Sequence, residues 1–350
     1  MQIEVDSADA DWTRPGVYEV DRGVYRVPLP LPNDALRAVN VYALAAHDDA
    51  DQRELVLIDS GWGVGPAREA LDKALAALDR SLADVGEFLV THVHRDHYGM
   101  AVAVRQEFGT RVGLGEGERA SIDLLSHPIT EPGRRRLETL RRYGAGPVIA
   151  LVGQRLQELE HDPSHWAGPD HWLADGSDIA LADRTLRVVA TPGHTQGHVV
   201  FIDGGAGLLF AGDHVLPHIT PSIGYEAVAA AQPLGDFIAS LRLVRDLPDR
   251  RLLPAHGPVQ PSTHARIDQL LDHHGQRLDH AHAAVSDDAT TVYDVAFRLT
   301  WTRRERAFAD LDPFNQMLAV TETAAHLDLL VAQGRLRRSE VDDVLHYARA

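Results

Sequence analysis

The sequence predicts an α/β fold followed by a small helical C-terminal module. Three observations carry that reading. Short apolar runs alternate with helix-periodic stretches through the first half of the chain. Strand-like runs resume after about residue 170, each broken off by Gly or Pro. After Pro261 the spacing of apolar residues turns helical. At 350 residues, with 44% hydrophobic and 24% charged residues, the chain is long enough to bury a large core or two medium ones.

The elements follow in order. "GVYRVPLPLP" and "VNVYALAA" read as strands, rich in Val and Tyr and bounded by Pro, Asn and Asp. "ELVLIDSGWG" is a buried strand ending in a tight Asp-Ser-Gly turn, and Leu71, Leu75 and Leu78 then recur at helical spacing behind Pro66. "EFLVTH" is another buried strand, and "YGMAVAVRQEFG" a helix stopped by Gly109. Residues 116–170 break the alternation with Arg-rich, Leu-spaced stretches, read as two or more helices inserted into the fold. "DIALADRTLRVVATPG", "HVVFIDGGAGLLFAGD" and "RLLPAHG" are short strands, with a helix at about 234–246 before the last. The division expected is 1–261 for the main domain and 262–350 for the helical module.

Composition narrows the function. There is no cysteine, which removes disulfides and thiolate chemistry, so any metal must be held by imidazole and carboxylate. A formal net charge of −17 repels polyanions, so neither nucleic acid nor an anionic membrane surface is the expected partner. No run is long and apolar enough to span a bilayer, and the N-terminal "MQIEVDSADADW" has no apolar signal region; a cytoplasmic protein is expected. Lys73 is the only lysine, which reads as codon bias.

The chemistry is concentrated in "THVHRDHYG", residues 91–99. Residues at i and i+2 on extended chain point the same way, so His92, His94 and Asp96 are expected to converge beyond the "EFLVT" strand, with His97 turning aside as the next helix begins. One segment cannot complete two coordination shells, and partners stand elsewhere: His194 in "TPGHTQGH", Asp213 in "AGDH" and His256 in "PAHG", each on a sharp turn after an apolar strand. Imidazole with carboxylate suits zinc, manganese or iron. His198, His214 and His218 read as local hydrogen-bonding residues, with substrate contact the alternative for His214 and His218; His273, His274, His280 and His282 read as solvated surface.

"LIDSG", "THVHRDHYG", "TPGHTQGH", "AGDHV" and "PAHG" stand in the order of the metallo-β-lactamase superfamily, which the chain resembles over about residues 20–260. The resemblance implies a four-layer αβ/βα sandwich and two divalent metal ions, zinc by default with iron or manganese as alternatives. It implies that His92, His94 and His194 hold one metal, that Asp96, His97 and His256 hold the second, and that Asp213 bridges them. Asp59 resembles the aspartate that orients those ligands, its other reading being a cap on its own turn. A water clamped between metals about 3.5–4 Å apart would ionise near neutrality and attack a carbonyl or phosphoryl centre, with Asp96 placed to orient it or accept its proton.

Departures from other branches point towards glyoxalase II-like hydrolases acting on esters or thioesters. Asp213 without cysteine is unlike β-lactam-hydrolysing members, the intact His94 is unlike flavodiiron members, and Leu216 stands where lactonases carry a tyrosine. A phosphodiesterase or nuclease is the alternative, for which Arg134, Arg135, Arg136, Arg141 and Arg142 would have to form a basic groove rather than a solvated helix face. The C-terminal module resembles a winged-helix appendage, yet from Ser262 onward 10 Arg face 14 Asp plus Glu, which favours a supporting wall over a nucleic-acid reader. The expected partner is a small-molecule substrate, with a homodimer contact through the insert left open.

Overall fold

A computed structural model describes residues 2–7, 11–32, 36–45, 55–63, 65–127, 132–157 and 162–350. The first half folds as β1 (Ile3–Val5), β2 (Val17–Asp21), β3 (Val24–Pro30), β4 (Ala38–Ala45), β5 (Leu55–Ile58), α1 (Gly65–Ala77), β6 (Val85–Val90), α2 (Arg95–Phe108) and β7 (Arg111–Gly115). The insert then supplies α3 (Arg119–Leu125), α4 (Pro132–Arg142) and α5 (Gly146–Gln157) before β8 (His171–Leu173); its residues 128–131 and 158–161 lie outside the described residues. These eight strands form one sheet in sequential order. The run from β2 to β5 is an antiparallel meander, and β5, β6, β7 and β8 are parallel, joined by helical crossovers.

The second sheet repeats that plan. It comprises β9 (Asp178–Ala180), β10 (Thr185–Ala190), β11 (Val199–Asp203) and β12 (Leu208–Gly212), then α6 (Pro233–Asp246) and β13 (Arg251–Pro254), which pairs parallel to β12. The sheets face each other through Val24, Tyr42, Ile58, Leu89, Val188, Phe201, Phe210 and Leu253, with Tyr42 edge-on to Phe210 at 5.4 Å. The outer face of the first sheet is covered by α1 and α2 through Leu71, Leu75, Met100 and Val104. The outer face of the second is covered by α6 and by the C-terminal elements, completing the four layers.

Those elements are α7 (Thr263–Ala284), α8 (Val292–Arg298), β14 (Thr300–Trp301), β15 (Arg306–Ala307), α9 (Pro313–Ala332), β16 (Leu336–Val341) and β17 (Val344–Arg349). Two hairpins therefore accompany the expected helices. The break at Pro261 is a change of composition and not a boundary between cores. Val200 and Leu209 of the sheet, Leu234 of α6, Ile267 of α7, Leu327 of α9 and Leu140 and Val148 of the insert belong to one apolar cluster.

Two further differences concern histidines and helix starts. The expected solvated His274 is fully buried between Phe237 and His326, with ring centroids at 5.5 and 5.6 Å. Helix α2 begins at Arg95, three residues earlier than its apolar periodicity shows, because the acidic Asp96 in its first turn favours the helix N-terminus. Asp96 therefore sits on a helix and not on extended chain.

The buried histidines give the fold a pH dependence. Burial holds His274 well below its ordinary value and His326 at about 4, opposed in His326 by the hydrogen bond to the Glu322 carbonyl. Both rings are neutral when folded and take up protons near pH 6.5 when unfolded, so stability is full above about pH 6.5 and falls towards pH 4. For His326 the loss reaches about 3 kcal/mol at one pKa unit per 1.36 kcal/mol. Urea midpoints at pH 7.5 and pH 5 should differ accordingly, and a folded His326→Phe variant should flatten that difference; an unchanged slope would contradict it.

Candidate metal centre

The parallel strands decide where the site lies. Asp59 follows β5, His92 and His94 follow β6, Asp213 follows β12 and His256 follows β13, so chain leaving both sheets meets at one rim. His194 joins them from the turn between β10 and β11. Three groups of donor atoms gather there, each within 4.8 Å: His92, His94 and His194; Asp96, His97 and His256; and His92, His97 and Asp213. Asp213 stands between the first two. Its Oδ2 lies 3.5 Å from His194 Nε2, while its Oδ1 lies 3.4 Å from His256 Nε2 and 3.8 Å from His97 Nε2. Asp96 Oδ2 faces His256 at 3.4 Å and His97 at 3.5 Å, not the His92–His94 pair that alternation on a strand would give it.

The rings are aimed from behind. His92 Nδ1 is 3.0 Å from the Thr91 hydroxyl, His97 Nδ1 2.8 Å from Asp59 Oδ2, His194 Nδ1 2.7 Å from the Ser222 carbonyl and His256 Nδ1 2.8 Å from the Ala38 carbonyl. A hydrogen on each Nδ1 leaves an Nε2 lone pair pointing into the cluster. His92 Nε2, His97 Nε2, His256 Nε2 and Asp213 Oδ1 are buried without a hydrogen-bond partner. Unpaired buried polar atoms are costly, and several aimed at one point fit a cation. Asp59 is buried, adopts a left-handed backbone with φ of 60°, and also accepts from the Thr91 N–H at 2.8 Å and hydroxyl at 2.9 Å. It thus ties the β6 loop to His97 as well as shaping its own turn.

Electrostatics agree. Burial keeps His94 down at about 3 and His194 at about 4, so both are neutral and able to donate a lone pair. Burial also works against a charge on His97, yet Asp96, Asp59 and Asp213 together push it up to about 10. Three carboxylates in one enclosed rim favour a positive charge at its centre.

His198 takes no part in either triad. Its Nε2 accepts from the Asp213 N–H at 3.1 Å and its Nδ1 meets the Thr191 hydroxyl at 2.9 Å, so it fixes the Asp213 backbone. Gly212 precedes Asp213 with φ of +50°, and a Cβ there would lie 2.7 Å from His198 Nε2 and 2.8 Å from Thr91. His214 is buried edge-on to Phe237 and is not exposed to substrate. His218 is exposed. Thr91, Ser222, Ala38 and Asn40 were not legible as site residues. Asn40 donates from its amide to the Pro254 and Gly257 carbonyls on either side of His256, and accepts from the buried Arg26, which pairs with Asp6.

An αβ/βα sandwich with a rim of paired His/Asp triads is the class that fold and site define. The Metallo-beta-lactamase superfamily model matches residues 35–256, more than half of the chain, and the protein belongs to that superfamily. A metallo-beta-lactamase family protein of Thermus thermophilus has the same architecture, with a TM-score of 0.78 and 29% identity over 95% of this chain and all of its own. A Bacillus subtilis protein named "Probable metallo-hydrolase YqjP" is 25% identical over 88% of this chain and 91% of its own. An "Atrochrysone carboxyl ACP thioesterase" of Aspergillus fumigatus is 25% identical over 71% of this chain, which spans 44% of that protein.

Substitutions should separate the two triads. Removing the shared carboxylate in Asp213→Ala should weaken metal binding at both. Asp59→Asn should weaken mainly the His97 triad, by about 10- to 100-fold. Equilibrium dialysis reads both affinities, and wild-type binding in Asp213→Ala would refute the assignment.

Proposed function

We propose that the protein is a metal-dependent hydrolase with a dinuclear centre, zinc by default with iron or manganese accepted by the same donors, acting on an ester or thioester of small to medium size. The observation that carries this reading is Asp213, whose two carboxylate oxygens face different histidine triads. Two bound cations would supply an ionised water and polarise the carbonyl under attack. Asp96 is placed to orient that water or take up its proton: with its side chain 20% exposed it is the more open of the two carboxylates at the donor cluster, and His97 and His256 keep it ionised against the cost of burial. Asp59 holds His97, and Thr91, Ser222 and Ala38 hold His92, His194 and His256, so four of the five imidazoles are fixed before substrate arrives.

Thioesters suit this arrangement better than simple esters. A thiolate leaves with a pKa near 8.5 and needs little protonation, whereas an alkoxide needs an acid. Likeness to a protein named as a thioesterase supports the same choice. The phosphodiesterase or nuclease reading needs a free basic groove, and the insert offers little: Arg134 pairs with Glu138, Arg142 with Glu340, and Arg136 stacks on Tyr225 at 3.7 Å. A lactonase is the weaker alternative, with the buried Leu216 at the diagnostic position.

The insert supports a limit on substrate size. Tyr225 lies three residues after Ser222, whose carbonyl holds His194, and Tyr225 packs edge-on against Phe314 of α9 at 5.7 Å. Arg136 of α4 thus brings the insert to the loop beside the metal ligands. Leu137, Leu140, Val148 and Val152 are buried against the C-terminal helices, so deleting the insert would open a core. Point variants are the cleaner probe.

Initial rates on matched acyl esters, acyl thioesters of rising chain length and bis-p-nitrophenyl phosphate test the reading. The thioester should be fastest, Asp96→Asn should lose about 10²- to 10⁴-fold in kcat, and Arg136→Ala and Tyr225→Ala should shift the chain-length preference. Fastest turnover of the phosphodiester would overturn it. An unchanged length preference would remove the insert from substrate selection. We also propose a cytoplasmic protein without a nucleic-acid or membrane partner; no helix among the described residues is long and apolar enough to cross a membrane.

A further inference from the structure

Glu118 is a fully buried carboxyl group that belongs to neither triad. It lies in the turn between β7 and α3, where the insert begins. Its Oε1 accepts from the Val93 N–H at 3.3 Å, between His92 and His94, and from the Thr195 hydroxyl at 2.5 Å, next to His194. One oxygen therefore binds two loops about a hundred residues apart in sequence, and these are the loops that bring His94 Nδ1 to 3.0 Å from His194 Nε2.

The backbone is built for this approach. A Cβ on Gly115 would lie 2.0 Å from the Gly197 carbonyl oxygen, and a Cβ on Gly197 would lie 2.1 Å from the Glu118 nitrogen. Only hydrogen fits at both positions, so the turn carrying Glu118 rests directly on the chain that follows His194. Burial raises the carboxyl to about 7, against the lowering effect of the Thr195 and Val93 bonds. Burying a carboxyl carries a desolvation cost that its hydrogen bonds must offset, and an apolar residue would fill the same volume without that cost.

We propose that Glu118 is a positioning residue that sets the separation of the His92–His94 and His194 loops, and so the affinity of that triad for its metal, by bridging Val93 and Thr195 on one acceptor oxygen. The other triad is held by contacts that do not involve Glu118, through Asp59 to His97 and through Ala38 to His256. The loss on removing Glu118 is therefore selective. The inference rests on the dinuclear reading and can fail separately from it.

Cobalt(II) titration of the full-length protein, following both heat and the visible absorption of the bound ion, tests it. Wild type should take up two equivalents. Glu118→Ala should keep one equivalent at wild-type affinity and bind the other about 10- to 100-fold more weakly. Glu118→Gln, whose amide oxygen can accept the same two bonds, should restore both. Where Glu118→Ala does not fold, Thr195→Val removes one of the two bonds and should weaken the same equivalent, with Thr195→Ser restoring it. A role confined to packing would lower the unfolding midpoint and weaken both equivalents together, and that result overturns the proposal. So does wild-type binding of both ions by Glu118→Ala, or a loss in Glu118→Gln equal to that in Glu118→Ala. Failure of the wild type to bind two ions instead sinks the dinuclear reading.

Discussion

Five imidazoles gathered at one rim, four of them buried, are the constraint on which the rest of this structure depends. Burial favours the neutral ring, and a neutral ring offers its nitrogen to a cation in a fixed direction only while its other nitrogen is held. Four of the five are held through Nδ1, by a hydroxyl, a carboxylate and two backbone carbonyls. Each of those acceptors has its own reason to stay in place. Thr91 is fixed by Asp59, and Ala38 lies on β4, paired to β3 and β5. The Ser222 loop rests on α9, where Gly224 approaches the Thr321 carbonyl. Sheet, helix layer and C-terminal appendage therefore all bear on the aim of the rings.

The two halves of the fold make such convergence possible. Each is a meander followed by a parallel β-α-β step, and packing them face to face brings the ends of β5, β6, β12 and β13 to one edge. Ligand sites at the carboxyl ends of parallel strands are a general property of α/β sheets. The C-terminal helices share their core with the second sheet and the insert, so they act as the outer layer of the domain that carries the site.

The residues that gather at the rim stand out in the sequence because histidine and aspartate on Gly- and Pro-bounded turns after apolar runs leave a local signature, and their order resembles that of a known superfamily. The supporting atoms were not. Ala38 and Ser222 act through backbone carbonyls, which any residue supplies, so their identities carry no signal. Asn40, Thr91 and Glu118 are single polar residues whose partners are distant in sequence or ordinary in type. Strand spacing alone groups Asp96 with His92 and His94, but α2 begins at Arg95 and turns Asp96 towards His97 and His256, the grouping that the superfamily resemblance implies. His274 was misread because charged neighbours on α7 mask a buried stripe against Phe237.

The central claim is that the two triads hold two cations with Asp213 between them. Crystals of protein purified without chelator, measured above and below the absorption edge of the metal found by elemental analysis, test it most directly. The account predicts two anomalous peaks about 3.5–4 Å apart, one against His92, His94 and His194, the other against Asp96, His97 and His256, with an oxygen of Asp213 on each. A single peak that leaves one triad empty, or metal bound away from Asp213, would contradict it.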